Sequence, residues 1–126
     1  MDRTYLEQAQ TKLKLTPQER ALYERHLSNL YGAGRVEHPD GSISTLYQMS
    51  VTGPDKRAYN IPTVYDGRIL HPDEAIQRAA QHGWQYFPSY ASPQDAEQRY
   101  GQMHEFFDQD MRSFMTQRKK SQFSGQ

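Results

Sequence analysis

The sequence predicts an α+β fold: a small antiparallel three-stranded meander packed against a short and a long helix, with an N-terminal helix before them. Three observations predict it. Apolar and polar residues alternate from Ile43 to Val51 and again from Tyr59 to Thr63, which is the strand period. An apolar stripe runs through Ala96, Tyr100, Met103, Phe107, Met111 and Phe114 in steps of four, three, four, four and three, which is the helix period. Three places carry one helix-start device, a residue followed by Pro and then an acid: Thr16-Pro17 with Glu19, His71-Pro72 with Asp73, and Ser92-Pro93 with Asp95.

In chain order, residues 1–15 read as a polar arm. Leu6, Ala9 and Leu13 recur at helical spacing, but a short helix here needs something to lie against. Thr16 and Glu19 form a capping box, and Tyr23, Leu27, Leu30 and Tyr31 face the core behind it, with Leu22 beside them. Gly32 and Gly34 end that helix, and Pro39-Asp40-Gly41 turns the chain into the first strand. On that strand Ile43, Thr45, Tyr47, Met49 and Val51 share a face. Gly53-Pro54-Asp55-Lys56 leads to the second strand, where Pro62 marks an edge or an end because it cannot donate to a ladder. Asp66-Gly67 is a hairpin signal leading to a third strand, Arg68–Leu70. The helix from Pro72 buries Ala75, Ile76, Ala79 and Ala80, and Gly83 stops it. Gly101 lies inside the long helix at a cost of about 1 kcal/mol relative to Ala, which points to close packing or to self-association through that helix. The ordered domain spans residues 16–116, and residues 117–126 read as a polar disordered tail.

Composition removes several function classes. The 126 residues hold 15 Lys and Arg against 15 Asp and Glu, so the chain lacks the basic footprint that specific nucleic-acid binding requires. Arg118-Lys119-Lys120 is read as a solubilising end. With no Cys there is no disulfide, thiolate nucleophile or Cys-based zinc site. No apolar run is long enough for a membrane span, and the polar N-terminus is not read as a secretory signal.

No catalytic or cofactor-binding set is read. His104, Glu105 and Asp108 echo a zinc helix with Asp in place of the second His, but no further spaced ligand points there, and a solvated His–Asp pair explains the pattern. His71, Asp73 and Glu74 are helix-start residues in which the acids meet the positive end of the dipole. Gly32-Ala33-Gly34 follows a helix and lacks the context of a phosphate loop. The best interaction surface is the aromatic loop Trp84-Gln85-Tyr86-Phe87-Pro88-Ser89-Tyr90. Phe87 and Tyr90 can pin the loop to the sheet, whereas Trp84 and Tyr86 have no evident structural duty.

A set of motifs runs along the chain: Asn60-Ile61-Pro62-Thr63-Val64, Asp66-Gly67, Pro72-Asp73-Glu74-Ala75, Gly83, Phe87-Pro88-Ser89-Tyr90, Ala96-Glu97, Tyr100 and Met103-His104. With Leu15-Thr16-Pro17, residues His26 to Gly32, Pro39 to Ser42 and Ser44 to Ser50, this pattern resembles a small uncharacterised domain of tailed-bacteriophage and prophage proteins over residues 15–115. Tyr65 stands where that family commonly has Trp, which joins it to Trp84, Tyr86 and Tyr90 as an interaction set. The resemblance implies a phage origin and brings no catalytic residues with it. The expected function is therefore a non-enzymatic phage protein acting through protein–protein binding, most simply as a virion component of head, neck, tail or ejection apparatus. The alternatives are a small inhibitor of a host enzyme or defence complex, and an accessory of cell-wall degradation. Expected partners are other virion proteins, a host protein or a second copy of the chain, with the chain in the virion or the host cytoplasm.

Overall fold

A computed structural model describes residues 2–124. It has the α+β architecture: helices α1 (Thr4–Leu13), α2 (Pro17–Tyr31), α3 (Pro72–His82) and α4 (Pro93–Ser124), with seven short strands. The strands are β1 (Val36–Glu37), β2 (Ile43–Ser44), β3 (Met49–Thr52), β4 (Ala58–Ile61), β5 (Val64–Tyr65), β6 (Arg68–Ile69) and β7 (Ser89–Tyr90).

The three-stranded antiparallel sheet is present, but its order is β3-β4-β7, so its third member comes from the aromatic loop. The segment expected as third strand instead closes a separate hairpin, Val64 opposite Ile69 and Tyr65 opposite Arg68. Asp66 (φ 52°) and Gly67 (φ 76°) make the tight turn, which needs positive φ at both central positions. That turn reverses the chain within four residues, and the 2-residue strands it joins do not reach β4.

The first expected strand is broken in the middle. Ile43–Ser44 pairs with Val36–Glu37, and only Met49–Thr52 joins the main sheet. Tyr47 causes the break: its φ of 44° is incompatible with an extended run, and its ring points out at 60% exposure. Leu46 carbonyl oxygen accepts from the Thr63 and Val64 amides, and Tyr47 carbonyl oxygen accepts the Thr63 hydroxyl. Backbone demand from the neighbouring loop thus outweighs the alternating pattern.

Two apolar clusters form. In the larger, Leu6 and Ala9 of α1 join Leu22, Tyr23 and Leu27 of α2 and Met103, Phe106 and Phe107 of α4. The segment read as an arm is therefore an element of the core, tied to α2 by Arg20 to Glu7 and Arg3 to Glu24. In the smaller, Tyr59 and Ile61 meet Ala75 and Ala79 of α3, with Trp84 and Phe87 against them. Side chains alternate along β4, so Asn60 points the other way, where its Nδ2 donates to the Ala96 carbonyl of α4 at 3.0 Å. The helices thus cover opposite faces of the sheet, α3 one and the start of α4 the other. Ala80, expected inward, is exposed on α3.

Helix α4 continues to Ser124, past the expected end of the ordered domain at residue 116. Arg118 explains part of the extension: it pairs with Glu37 and lies 6.0 Å from the Phe114 ring, holding the last turns against β1. Residues 125–126 of the expected tail lie outside the described residues.

Candidate functional site

The hairpin β5–β6 carries Tyr65 toward the last turns of α3, and the turn after α3 carries Tyr86 to the same place. Both tyrosines line one open cavity of about 440 Å³, with Arg25 of α2, Arg78 and His82 of α3, and Phe87. The guanidinium carbon of Arg25 sits 4.3 Å from the Tyr65 ring centroid and that of Arg78 sits 5.0 Å from it. The negative face of an aromatic ring attracts a guanidinium, which accounts for one ring holding two like charges. Arg25 is anchored further by Nη2 donating to the Val64 carbonyl at 2.9 Å, while its Nε is buried without a hydrogen-bond partner. His82 stacks against Tyr86 at 5.0 Å and Phe87 at 5.6 Å, which fixes the rim. Tyr86 is 56% exposed, the second most exposed large hydrophobic side chain among the described residues. No aspartate or glutamate lines the cavity. Among the described residues neither arginine has an acid within ion-pair distance.

The other two aromatic candidates lie elsewhere. Trp84 is half-buried on Tyr59, with centroids 5.0 Å apart, and belongs to the smaller cluster. It has the structural duty that the sequence did not reveal. Tyr90 donates its hydroxyl to Glu19 Oε2 at 2.7 Å, on the far side of α2's first turn. Glu19 is buried and also receives Arg99 Nε at 2.8 Å and the Thr16 amide at 2.9 Å. Burial alone would raise the Glu19 carboxyl, but the Arg99, Thr16 and Tyr90 bonds outweigh it and hold it below the ordinary range. Burial and the bond to Glu19 push the Tyr90 hydroxyl far up, so it stays a donor. The capping glutamate read as a helix-start residue is thus also the centre of a buried node.

A second buried polar group escaped the sequence reading. The His26 ring, at 0% exposure, lies 2.6 Å from Thr45 Oγ1 through Nδ1 and 3.2 Å from Asp110 Oδ2 through Nε2. Tyr23 donates its hydroxyl to the same Asp110 oxygen at 2.6 Å. Burial lowers the His26 pKa, against an opposing pull from Asp110, so the ring is neutral. The tautomer with Nε2–H toward Asp110 and Nδ1 accepting the Thr45 hydroxyl satisfies every partner. Carboxyl, imidazole and hydroxyl in a row can relay a proton. Here the row is closed into the core: Phe107 covers the imidazole at 4.5 Å, and Thr45 is 4% exposed. The signal available in the sequence was Asp110 itself, an acid on the stripe between Phe107 and Phe114.

His104 and Glu105 are exposed on α4, and Asp108 accepts from Arg112 at 2.7 Å, an i,i+4 pair. Among the described residues no group of three or more His, Asp or Glu side chains is placed to hold a metal ion. No helix among them is long and apolar enough to cross a membrane. No protein family, curated protein or solved structure matches this chain.

Proposed function

We propose that this chain is a non-enzymatic bacteriophage protein that works by binding another protein, and that it does so as a virion component. The observation that carries the binding reading is the cavity where Tyr65 and the exposed Tyr86 meet Arg25 and Arg78. Tyrosine and arginine are the residue types that dominate interface energetics, because each joins a large flat contact area to a directional polar group. The two polar rows that resemble reaction machinery support the same reading from the other side, since His26 and Glu19 are sealed in the core and spend their bonds on the fold. The phage context rests on the resemblance over residues 15–115.

Mass spectrometry of purified particles tests the virion reading. The chain is expected as a constant particle component. Its absence from particles, with stable co-purification of one host protein from infected cells, favours the host-inhibitor alternative instead. Tyr86→Ala supplied in place of the natural chain is expected to leave the fold intact and deplete the chain from particles.

A further inference from the structure

We infer that the Arg25–Tyr65–Arg78 cavity is a docking site for an acidic protein segment, one whose Asp or Glu carboxylates alternate with apolar side chains. The inference rests on the protein-binding reading and names the chemistry of the partner. Two guanidiniums are held on one tyrosine ring, at 4.3 Å and 5.0 Å, and both line the same cavity, so an anion entering it meets a doubly cationic wall. Neither has an acid within ion-pair distance among the described residues, in a chain of 15 basic and 15 acidic residues. Of the other eight arginines only Arg57, which donates to Ser89, also lacks a carboxylate partner among the described residues. Arg3, Arg20, Arg99, Arg112 and Arg118 each pair with a carboxylate. Unpaired cations cost little in water, but the Nε of Arg25 is buried without a partner, a donor still to be satisfied.

The remaining walls decide between a peptide and a free anion. Leu22, Phe87 and the exposed Tyr86 give the cavity an apolar side next to its cationic one. A bare phosphate would leave that side in water. A nucleic-acid backbone needs many more cations than two, and the chain is neutral overall. A segment with a carboxylate for the arginines and an aliphatic or aromatic neighbour for Tyr86 uses both walls. Guanidinium–carboxylate recognition is the strong, directional pairing, and a planar fork already stacked on a ring loses little freedom on binding.

The test is fluorescence anisotropy with a labelled peptide Glu-Leu-Glu-Leu-Glu at low salt, and with Lys-Leu-Lys-Leu-Lys as the sign-reversed control. The acidic peptide is expected to bind with a dissociation constant below about 1 mM and the basic one not to bind. Arg78 is exposed, so its substitution leaves the fold alone. Arg78→Gln is expected to weaken binding about tenfold, and Arg78→Glu to abolish it and admit the basic peptide. Arg112→Gln, which removes the same charge outside the cavity, is expected to change nothing. Absence of binding, or binding indifferent to Arg78, overturns the proposal. So does displacement of the peptide by inorganic phosphate or AMP at concentrations below the peptide's own, which would make the cavity a phosphate site. The measurement needs no phage particle. A chain found in particles that ignores the acidic peptide sinks this inference alone, and a peptide-binding chain missing from particles sinks the virion reading alone.

Discussion

His26 has no room for a positive charge. Its ring is fully buried, and taking the charged imidazolium out of water is the main cost that protonation would meet. Burial sets the direction, and the opposing pull of Asp110 does not reverse it, so the folded pKa lies below the ordinary 6.5. The unfolded chain therefore binds a proton that the folded chain refuses, in the interval from 6.5 down to the folded value. The His26 contribution is complete above 6.5 and drains away as pH falls through that interval. The Glu19 carboxyl, held below its ordinary 4.5, is a separate loss that begins only at more acid pH. Urea midpoints measured in steps from neutral pH downward are expected to start falling near pH 6.5 in the natural chain. His26→Gln is expected to flatten that first step while keeping the acid one; equal slopes in both would remove His26 as the cause. Asp110 tests the same node by subtraction. Asp110→Ala leaves the Tyr23 hydroxyl and the His26 Nε2–H without an acceptor inside the core, at an expected cost of about 3 kcal/mol by chemical denaturation. A loss under 1 kcal/mol, about the size of an ordinary exposed hydrogen bond, would mean that water reaches the node.

Helix α4 is the element on which sequence and structure teach most. Gly101 suggested close packing, yet a methyl group built there meets nothing within 4 Å. Within the chain, then, the glycine carries only its entropic cost. Gly101→Ala is expected to stabilise the chain by about 1 kcal/mol and raise the melting temperature by roughly 4 °C. A substitution that instead lowered the association state or the melting point would show that a second chain packs on that spot. Helix α1 teaches the reverse. Its segment reads as a polar arm, but Leu6 and Ala9 are both completely buried under α4. Leu6→Ala is expected to cost about 3 kcal/mol, where a detached arm would lose nothing measurable. Helix starts were legible because each is written locally: Thr16 with Glu19, and Ser92 with the Asp95 amide at 3.1 Å, are contacts three residues apart. The Asp66-Gly67 hairpin was legible for the same reason. What the sequence hid is long-range. The third strand of the sheet depends on Ser89 meeting Tyr59, the break at Tyr47 on Thr63 bonding across 16 residues, and the gathering of Tyr65 with Tyr86 on where α3 packs. Of the aromatic candidates, Tyr65 and Tyr86 came together, while Trp84 and Tyr90 went to the core cluster and the Glu19 node. Arg25 and Arg78 carried no local signal at all, because a lone arginine on a helix reads as solvated surface until the fold supplies its neighbours.

At the scale of the molecule, two apolar clusters must behave as one body, and few groups join them. Asn60 to the Ala96 carbonyl is one link and Arg25 to the Val64 carbonyl another. The densest is Arg99. From α4 its Nε reaches Glu19 at the start of α2, its Nη2 reaches the Leu13 carbonyl at the end of α1 at 2.6 Å, and Glu19 in turn holds Tyr90 of β7. One guanidinium thus ties three helices and the sheet's outer strand. The Arg99 side chain is 22% exposed against 2% for Glu19, so removing it leaves a buried carboxylate with only Tyr90 and the Thr16 amide for company. Arg99→Met keeps the aliphatic stem and deletes the charge. It is expected to cost about 3 kcal/mol, because an orphaned buried carboxylate must be protonated or hydrated before the chain can stay folded. The loss should shrink as pH falls and Glu19 gains its proton, since a neutral carboxyl needs no cation. Hydrogen exchange separates a node from a local contact. If Arg99 couples the clusters, amides of α1 and of β4 paired with β7 lose protection together in the variant. Faster exchange confined to the first turn of α2 would make the link a cap and nothing more, and the two clusters would have to be held as one by the Asn60–Ala96 and Arg25–Val64 bonds and the packing around them.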